Sequence, residues 1–458
     1  MSEPILFTST NRAVPPTSLR DALLMGQAAD RGLFVPARYP VLSPSDLSAL
    51  VGRSYPEVAF EVLRRFTVGV FDEERLLRLC KDAYDYEVPI EHIVGRRYLM
   101  RLDRGPTASF KDFAARMMAR WMGVLIEQDR SELVILTATS GDTGSAVAHA
   151  YHGVPRVRVV VLFPIREVSN RQRQQMTTLG GNITTLAVDG KFDDCQALVK
   201  RAFADPDLAS IKLTSANSIN IGRLLPQSVY YVYAYVCLCD TRELEPVVFS
   251  IPSGNFGDMM GAVIAKRMGI AIERIVVATN ANDEVPRFLA DGLYQKISPS
   301  RVAISNAMNV GHPSNLARLV DAYGGFMDET GTMREAPDLA KMRKDLYATS
   351  VSDEDTRATI KQAYEQHGVV LEPHGAVGWA GLSRFLRDLG PAKEPLCVAV
   401  ETAHPAKFPE EIQALIGLDP PVPPSMAGLD KKEETYERIE AAYEPLRDLL
   451  LRKFRTRS

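Results

Sequence analysis

The stretch Leu133-Val134-Ile135-Leu136-Thr137-Ala138-Thr139-Ser140-Gly141-Asp142-Thr143-Gly144 decides the fold. Residues 133–137 are apolar or β-branched without alternation, the pattern of a strand buried on both faces. A glycine turn follows, and residues 143–151 continue as a helix. The same order returns along the chain. Strands are expected at 157–163 and 183–188, the second before a helix at 193–203. A strand at 247–251 then leads through another glycine turn into a helix at 257–268. Residues 275–279 and 396–400 read as further strands. Strand, glycine turn, helix and strand in succession specify parallel βαβ units. Between the two strand groups, residues 224–238 are apolar on nearly every side, with Pro226 in the first turn, and read as a buried helix. The predicted fold class is α/β, with two doubly wound αβα domains that meet at a cleft. Ligands in such sheets bind beyond the carboxyl ends of the strands.

Working outward, residues 1–93 read as a mostly helical N-terminal domain. A helix over 18–29 begins after Ser18 as N-cap. Asp30-Arg31-Gly32-Leu33-Phe34-Val35-Pro36 ends it with a glycine and a short apolar strand, and 43–51 and 55–68 are helical. The expected division is 1–93; 94–240, a small and mobile αβα domain; 241–415, a large αβα domain; and 416–458. The last comprises a proline-rich linker at 420–424 and a helix over 431–455.

With 46 % apolar and 24 % charged residues over 458 positions, the chain has the balance of a soluble protein with ample core. A formal net charge of −3 offers no basic excess to grip a phosphate backbone, so no nucleic-acid partner is expected. The basic run from Arg447 to Arg457 reads as a solvated helix face. Cys80, Cys195, Cys237, Cys239 and Cys397 are scattered, which fits reduced thiols rather than a disulfide frame. Cys237 and Cys239 would face different sides of one helix and could not clamp a metal together. His149 and His152 share a helix face but lack a third ligand, so no metal is expected. Residues 1–10 lack the basic-then-apolar pattern of a signal peptide, and no apolar run reaches membrane-spanning length. The expectation is a cytoplasmic protein without a membrane partner.

Four segments carry chemistry. In Gly105-Pro106-Thr107-Ala108-Ser109-Phe110-Lys111-Asp112-Phe113, a turn runs into a helix, and Lys111 is flanked by phenylalanines. Apolar flanks favour the neutral amine that an imine requires. Thr139, Ser140, Gly141, Asp142 and Thr143 put hydroxyls and backbone N–H groups at a helix start, an anion site. Ser253-Gly254-Asn255-Phe256-Gly257-Asp258 follows a strand and fits a compact single-phosphate cup; it is neither the Walker nor the dinucleotide pattern. Glu401-Thr402-Ala403-His404-Pro405-Ala406-Lys407-Phe408 lies at a strand's carboxyl end, where the Thr402 hydroxyl could bond a ring nitrogen without forcing a proton on it. Singly, each segment has an ordinary reading as a solvated lysine, a cap or a turn. Jointly they supply what pyridoxal 5'-phosphate needs from a protein.

These segments, together with residues 7–12, 31–36, 170–181, 192–200, 214–225, 278–289, 305–308 and 372–378, are similar to the threonine synthase family, in the group found in enteric bacteria and yeast. The resemblance implies a tryptophan-synthase-β-like (fold type II) pyridoxal-phosphate enzyme with an extra N-terminal domain. It implies formation of L-threonine and phosphate from O-phospho-L-homoserine and water. By position, Lys111 matches the Schiff-base lysine. Ser253, Gly254, Asn255, Phe256, Gly257 and Asp258 match the loop around the cofactor phosphate, and Thr402 the ring-nitrogen partner. Thr139, Ser140, Gly141, Asp142 and Thr143 match the loop that holds the substrate carboxylate and closes on it. Asn217, Ser218, Asn220 and Arg223 match a segment facing the substrate phosphate, and Arg223 is suited to that as a bidentate donor. At least one of the residues 217–220 is also expected to cap a helix. Arg31 replaces a glycine common in relatives, and Ala108-Ser109 varies within the lysine motif; neither touches a chemical role. A monomer or homodimer is expected.

In this reading the Lys111 amine takes the α-proton and then a β-proton, phosphate leaves the γ carbon, and water adds at the β carbon. A phospholyase releasing a keto acid would share Lys111 and the cup but add no water. A hydroxy-amino-acid dehydratase would not need the 217–223 segment. A non-catalytic binding protein of this fold would show eroded cofactor residues, whereas Lys111, Gly254–Gly257 and Thr402 are intact.

Overall fold

Strand Leu133–Ala138 is buried along its whole length, as an unbroken apolar run requires. It belongs to a five-stranded sheet in the order Glu437–Glu440, Ile183–Asp189, Val157–Pro164, Leu133–Ala138, Leu213–Thr214, parallel throughout. In this computed structural model residues 3–391 and 394–454 are described; Met1, Ser2, Arg455 and Arg457, which enter the readings of the chain ends, lie outside them. A second sheet has six strands, ordered Leu346–Ser350, Ile272–Thr279, Val247–Pro252, Leu396–Glu401, Arg97–Arg101, Ile90–Val94. Its pairs are parallel except the last, which is antiparallel.

Alternate side chains of each strand serve opposite cores. From the smaller sheet, Val134, Leu136, Val160 and Leu162 pack with Leu198 of helix Phe192–Phe203 and Leu446 of helix Tyr443–Phe454. Ile135, Val159 and Val161 point the other way, into the core that also holds Phe113, Tyr230 and Phe249. Helix Gln227–Leu238 is buried as its sequence predicts, with Pro226 capping it from just outside rather than lying in its first turn.

The N-terminal region pairs Phe7–Ser9 with Phe34–Pro36 and adds helices Leu19–Met25, Pro44–Leu50, Tyr55–Leu63 and Glu73–Ala83. Ser18 caps the first helix, its hydroxyl accepting from the Asp21 amide at 3.1 Å. That helix stops at Gly26, short of residue 29, because Gly26 takes a left-handed φ of 74°.

The division of the chain departs from the expected one in two places. Strand Ile90–Val94, at the end of the unit expected over 1–93, and strand Arg97–Arg101, from the unit expected over 94–240, both join the six-stranded sheet. The segment 416–458 is more than a linker and helix: Glu437–Glu440 forms the edge of the smaller sheet, and the last helix, Tyr443–Phe454 among the described residues, begins at 443 rather than 431. An exposed edge strand carries charge for its own protection, so it shows no apolar signal. No helix among the described residues is long and apolar enough to cross a membrane.

Candidate active site

The carboxyl ends of the two sheets face one cleft. Lys111 is the first residue of helix Lys111–Asp129, and its seat is built by pairing the preceding turn to the end of strand Leu396–Glu401. The Phe110 amide donates to the Thr402 carbonyl at 2.9 Å, and the His404 amide to the Ala108 carbonyl at 3.0 Å. These bonds hold Lys111 and Thr402 side by side. Buried Asp112 closes the turn from below, accepting from the Thr107 amide at 2.8 Å and the Thr107 hydroxyl at 2.7 Å. Lys111 Nζ lies 4.7 Å over the Phe110 ring. Burial pulls this amine below the usual lysine range, the Asp142 carboxylate opposes that, and the cations of Lys407 and Arg223 reinforce it.

The loop from Thr139 to Thr143 starts helix Asp142–Tyr151. The Thr139 hydroxyl oxygen accepts from the amides of Gly141 (2.9 Å) and Gly144 (2.8 Å), which folds the loop back on itself. Gly141 has φ of 131°, and a Cβ there would sit 2.5 Å from Gln172. Asp142 is buried, with Oδ2 3.8 Å from Lys111 Nζ and Oδ1 2.6 Å from Lys407 Nζ. Burial alone would raise its pKa, but the two ammonium groups, Lys407 first, hold the carboxyl well below the usual range.

Across the cleft, residues 253–258 join strand Val247–Pro252 to helix Gly257–Arg267. Phe256 adopts the left-handed conformation at φ 63°. Gly254 is pressed against the turn Asn306–Met308, so a Cβ would lie 2.7 Å from Met308 Cα. The Ser218 hydroxyl oxygen accepts from the side-chain amides of Asn255 (2.7 Å) and Asn315 (3.1 Å). Both its lone pairs are thereby used, leaving its O–H as a donor to the cleft. Arg223 is buried, gives one bond to the Ala216 carbonyl at 2.6 Å, and leaves Nε without a partner. Burial lowers its pKa to about 10. Asp258 receives hydroxyls from Tyr230 and Tyr231 on Oδ1, while Oδ2 is unpartnered; burial pushes this carboxyl up to about 6.

At the floor, Glu372 caps helix Pro373–Leu389. It accepts from His374 Nδ1 at 2.5 Å, so His374 Nε2 is the acceptor that holds the Ala307 amide at 3.1 Å. The Thr402 hydroxyl lies 3.4 Å from Glu372 Oε1. Behind them, burial and then the Glu372 carboxylate push Glu401 far above the carboxylate range.

Lys111, Thr139, Ser140, Asp142, Thr143, Asn217, Ser218, Arg223, the whole run from Ser253 to Asp258, and Thr402 line the cleft. Gly141 and Asn220 do not. Gly141 turns the loop behind it. Asn220 is a strut: it accepts from the Gly222 amide at 2.9 Å and donates to the Leu23 carbonyl at 2.9 Å, so the substrate-contact reading gives way to the capping one. Sequence reasoning missed Lys407, Gln172 and Asn315, which touch the lining residues Asp142, Ser218 and Asn255, and left the role of His374, which lines the cleft, open. Lys407 stands in a singled-out segment, but a lysine is read as solvated by default.

The residues suit pyridoxal phosphate by their unused bonding capacity. The Ser218 O–H and the backbone N–H groups that open helix Gly257–Arg267 offer donors to a phosphate, with the buried Lys111 amine in the same cleft. No group of three His, Cys, Asp or Glu side chains among the described residues could hold a metal ion.

Comparison with known proteins agrees. Residues 89–402 match the family model of pyridoxal-phosphate dependent enzymes, residues 6–84 that of the threonine synthase N terminus, and residues 375–450 that of the threonine synthase C-terminal region. Threonine synthase of Serratia marcescens is 37 % identical over 435 residues, covering 95 % of this chain and 96 % of the relative. That of Escherichia coli is 37 % identical over 436 residues, with 95 % and 96 % covered. The solved structure of pyridoxal-phosphate-bound threonine synthase from Brucella melitensis matches with a TM-score of 0.89 at 32 % identity, covering 99 % of this chain and 100 % of that one. The Escherichia coli structure matches at 0.87 and 34 %, covering 98 % and 99 %. On sequence, fold and cleft chemistry together, the chain belongs to the threonine synthase family of pyridoxal-phosphate-dependent enzymes.

Proposed function

We propose that this cleft converts O-phospho-L-homoserine and water to L-threonine and phosphate, with Lys111 as the cofactor lysine and proton carrier. The observation that carries the reading is the pairing, in one cleft, of the buried Lys111 amine, held below the usual lysine range, with the unpartnered Nε of Arg223 and with two helix N-termini, at Asp142 and Gly257. One set of donors surrounds residues 253–258 and Ser218 and suits the cofactor phosphate. The other, at Arg223 Nε and at the Ser140 and Thr143 side chains, suits the substrate's phosphate and carboxylate.

When bound, pyridoxal phosphate supplies an electron sink for negative charge at the substrate's α carbon. Lys111 would hold it covalently, the 253–258 loop would hold its phosphate, and the Thr402 hydroxyl would meet its ring nitrogen. The freed Lys111 amine would accept the α-proton and, once relieved of it, a β-proton; the two protons return to the γ carbon, which becomes the methyl group, and to the α carbon. Arg223 steadies the phosphate as charge builds on its leaving oxygen. Ser140 and Thr143 orient the carboxylate. The loop between Gly141 and Gly144, carried by the smaller sheet, closes to keep water out until phosphate has left.

A product balance tests this. Purified protein with pyridoxal phosphate and O-phospho-L-homoserine is expected to release phosphate and L-threonine in equal amounts. Phosphate accompanied by 2-ketobutyrate instead would show elimination without water addition and overturn the reading.

A further inference from the structure

Asp142 stands between two lysines, and the two contacts differ. Lys407 Nζ is 2.6 Å from Oδ1, Lys111 Nζ 3.8 Å from Oδ2. Lys407 is fully buried, whereas 13 % of the Lys111 side chain is exposed to the cleft. Lys407 gives a further bond to the Thr107 carbonyl at 2.9 Å, on the turn that precedes Lys111. Gln172 adds a bond to Asp142 Oδ1 at 2.9 Å. Coulomb attraction falls with distance, so the nearer, drier lysine takes most of the carboxylate's charge. Had Lys111 been the sole cation beside a buried carboxylate, the pair would have held it as an ammonium. An ammonium has no lone pair with which to attack a carbonyl or accept a proton.

We propose that Lys407 is a positioning residue for the reaction: it takes up the charge of Asp142 and so leaves the Lys111 amine free to join the cofactor's aldehyde and to move protons. In that joining, the nitrogen lone pair forms the bond to the aldehyde carbon, and the aldehyde oxygen departs as water with two protons from the amine. The proposal rests on the reading of Lys111 as the cofactor lysine.

The charges acting on Lys111 come from several elements. Asp142 and Glu372 favour its ammonium form, Lys407 and Arg223 disfavour it, and Asp258 lies within range on the opposite wall. Removing the Lys407 charge deletes one repulsion and frees Asp142 for Lys111, and both changes push Lys111 up. Removing the Asp142 charge alone pushes Lys111 down. Removing both returns it close to its starting value.

The test follows the pH dependence of carbamylation of Lys111 by cyanate in the full chain freed of cofactor, read by mass spectrometry of the Lys111 peptide. Relative to the parent, the midpoint for Lys407→Met is expected to rise by about one pH unit, a tenfold change in free amine below the midpoint. Asp142→Asn should fall below the parent, the double variant should lie between the two, and Lys407→Arg should track the parent. Circular dichroism verifies that each variant is folded. A folded Lys407→Met with an unmoved midpoint, or a double variant that keeps the full Lys407→Met shift, overturns the proposal. Should Lys407→Met fail to fold, an unmoved midpoint in Asp142→Asn does the same. Reduction of the holoenzyme with borohydride locates the cofactor independently: cofactor on another residue defeats the underlying reading while leaving the charge relation measured.

Discussion

The two walls of the cleft treat buried charge in opposite ways. On the wall of Lys111, the fully buried cation is matched: Lys407 faces Asp142 at 2.6 Å. Around the segment 215–223, Arg223, which lines the cleft, and Arg318, which lies behind it, are buried and neither forms an ion pair among the described residues. Arg223 has a carbonyl for a partner, and Arg318 gives its donors to the carbonyls of Phe34, Ser218 and Ile219 and to Asn315 Oδ1. The carboxyl on that side, Asp258, is pushed up to about 6 by burial. A matched wall is locally neutral and lets an amine gain and lose protons. Arg223, with Nε unpartnered, carries its desolvation cost until an anion enters the cleft. The difference teaches where the chemistry divides, with proton traffic on one side and phosphate on the other.

The contrast breaks most visibly at Arg318. Arg318→Met strands buried acceptors contributed by the N-terminal region, the 215–223 segment and helix Leu316–Ala322, and should lower stability by about 3 kcal/mol in denaturant unfolding. A loss well under about 1 kcal/mol would mean that those carbonyls find other donors. Next in size is Arg223→Met. Loss of a charge-assisted bond to phosphate is worth about 2 kcal/mol, so KM for the phosphorylated substrate should rise about 30-fold, with cofactor affinity unchanged. Equal weakening of cofactor and substrate would place Arg223 on the cofactor phosphate instead.

The smallest effect is a pH dependence. Asp258 titrates at about 6 in the folded chain against an ordinary 3.8. The fold therefore holds this proton more tightly than the unfolded chain does. The associated stability is full below the ordinary value and is lost as pH rises through about 6. Asp258→Asn removes the titration, so its stability relative to the parent should improve by about 1 kcal/mol between about pH 5 and about pH 7.5, followed by urea unfolding of the cofactor-free chain. A pH-independent difference would show that Asp258 is paired rather than merely buried.

Much of this division is legible in sequence, but unevenly. Strands such as Leu133–Ala138 and Val247–Pro252 are buried on both faces, and burial on both faces leaves an unbroken apolar run. Arg97–Arg101 and Glu437–Glu440 escape notice because charged residues at their ends and on their exposed sides mask any period. The 253–258 loop is readable since a close backbone approach demands glycine, as Met308 beside Gly254 shows. Arg318 and Lys407 are not, because their partners lie hundreds of residues away: Phe34 for Arg318, Thr107 for Lys407. A buried cation leaves no local mark, and only the folded arrangement reveals that one is matched and the other is not.

The division of labour between the two buried lysines is tested most directly by borohydride reduction of the holoenzyme, followed by peptide mapping. The account predicts the pyridoxyl mass on Lys111, none on Lys407, and none anywhere in Lys111→Ala. A pyridoxyl group on Lys407, or retained covalently in Lys111→Ala, would contradict it.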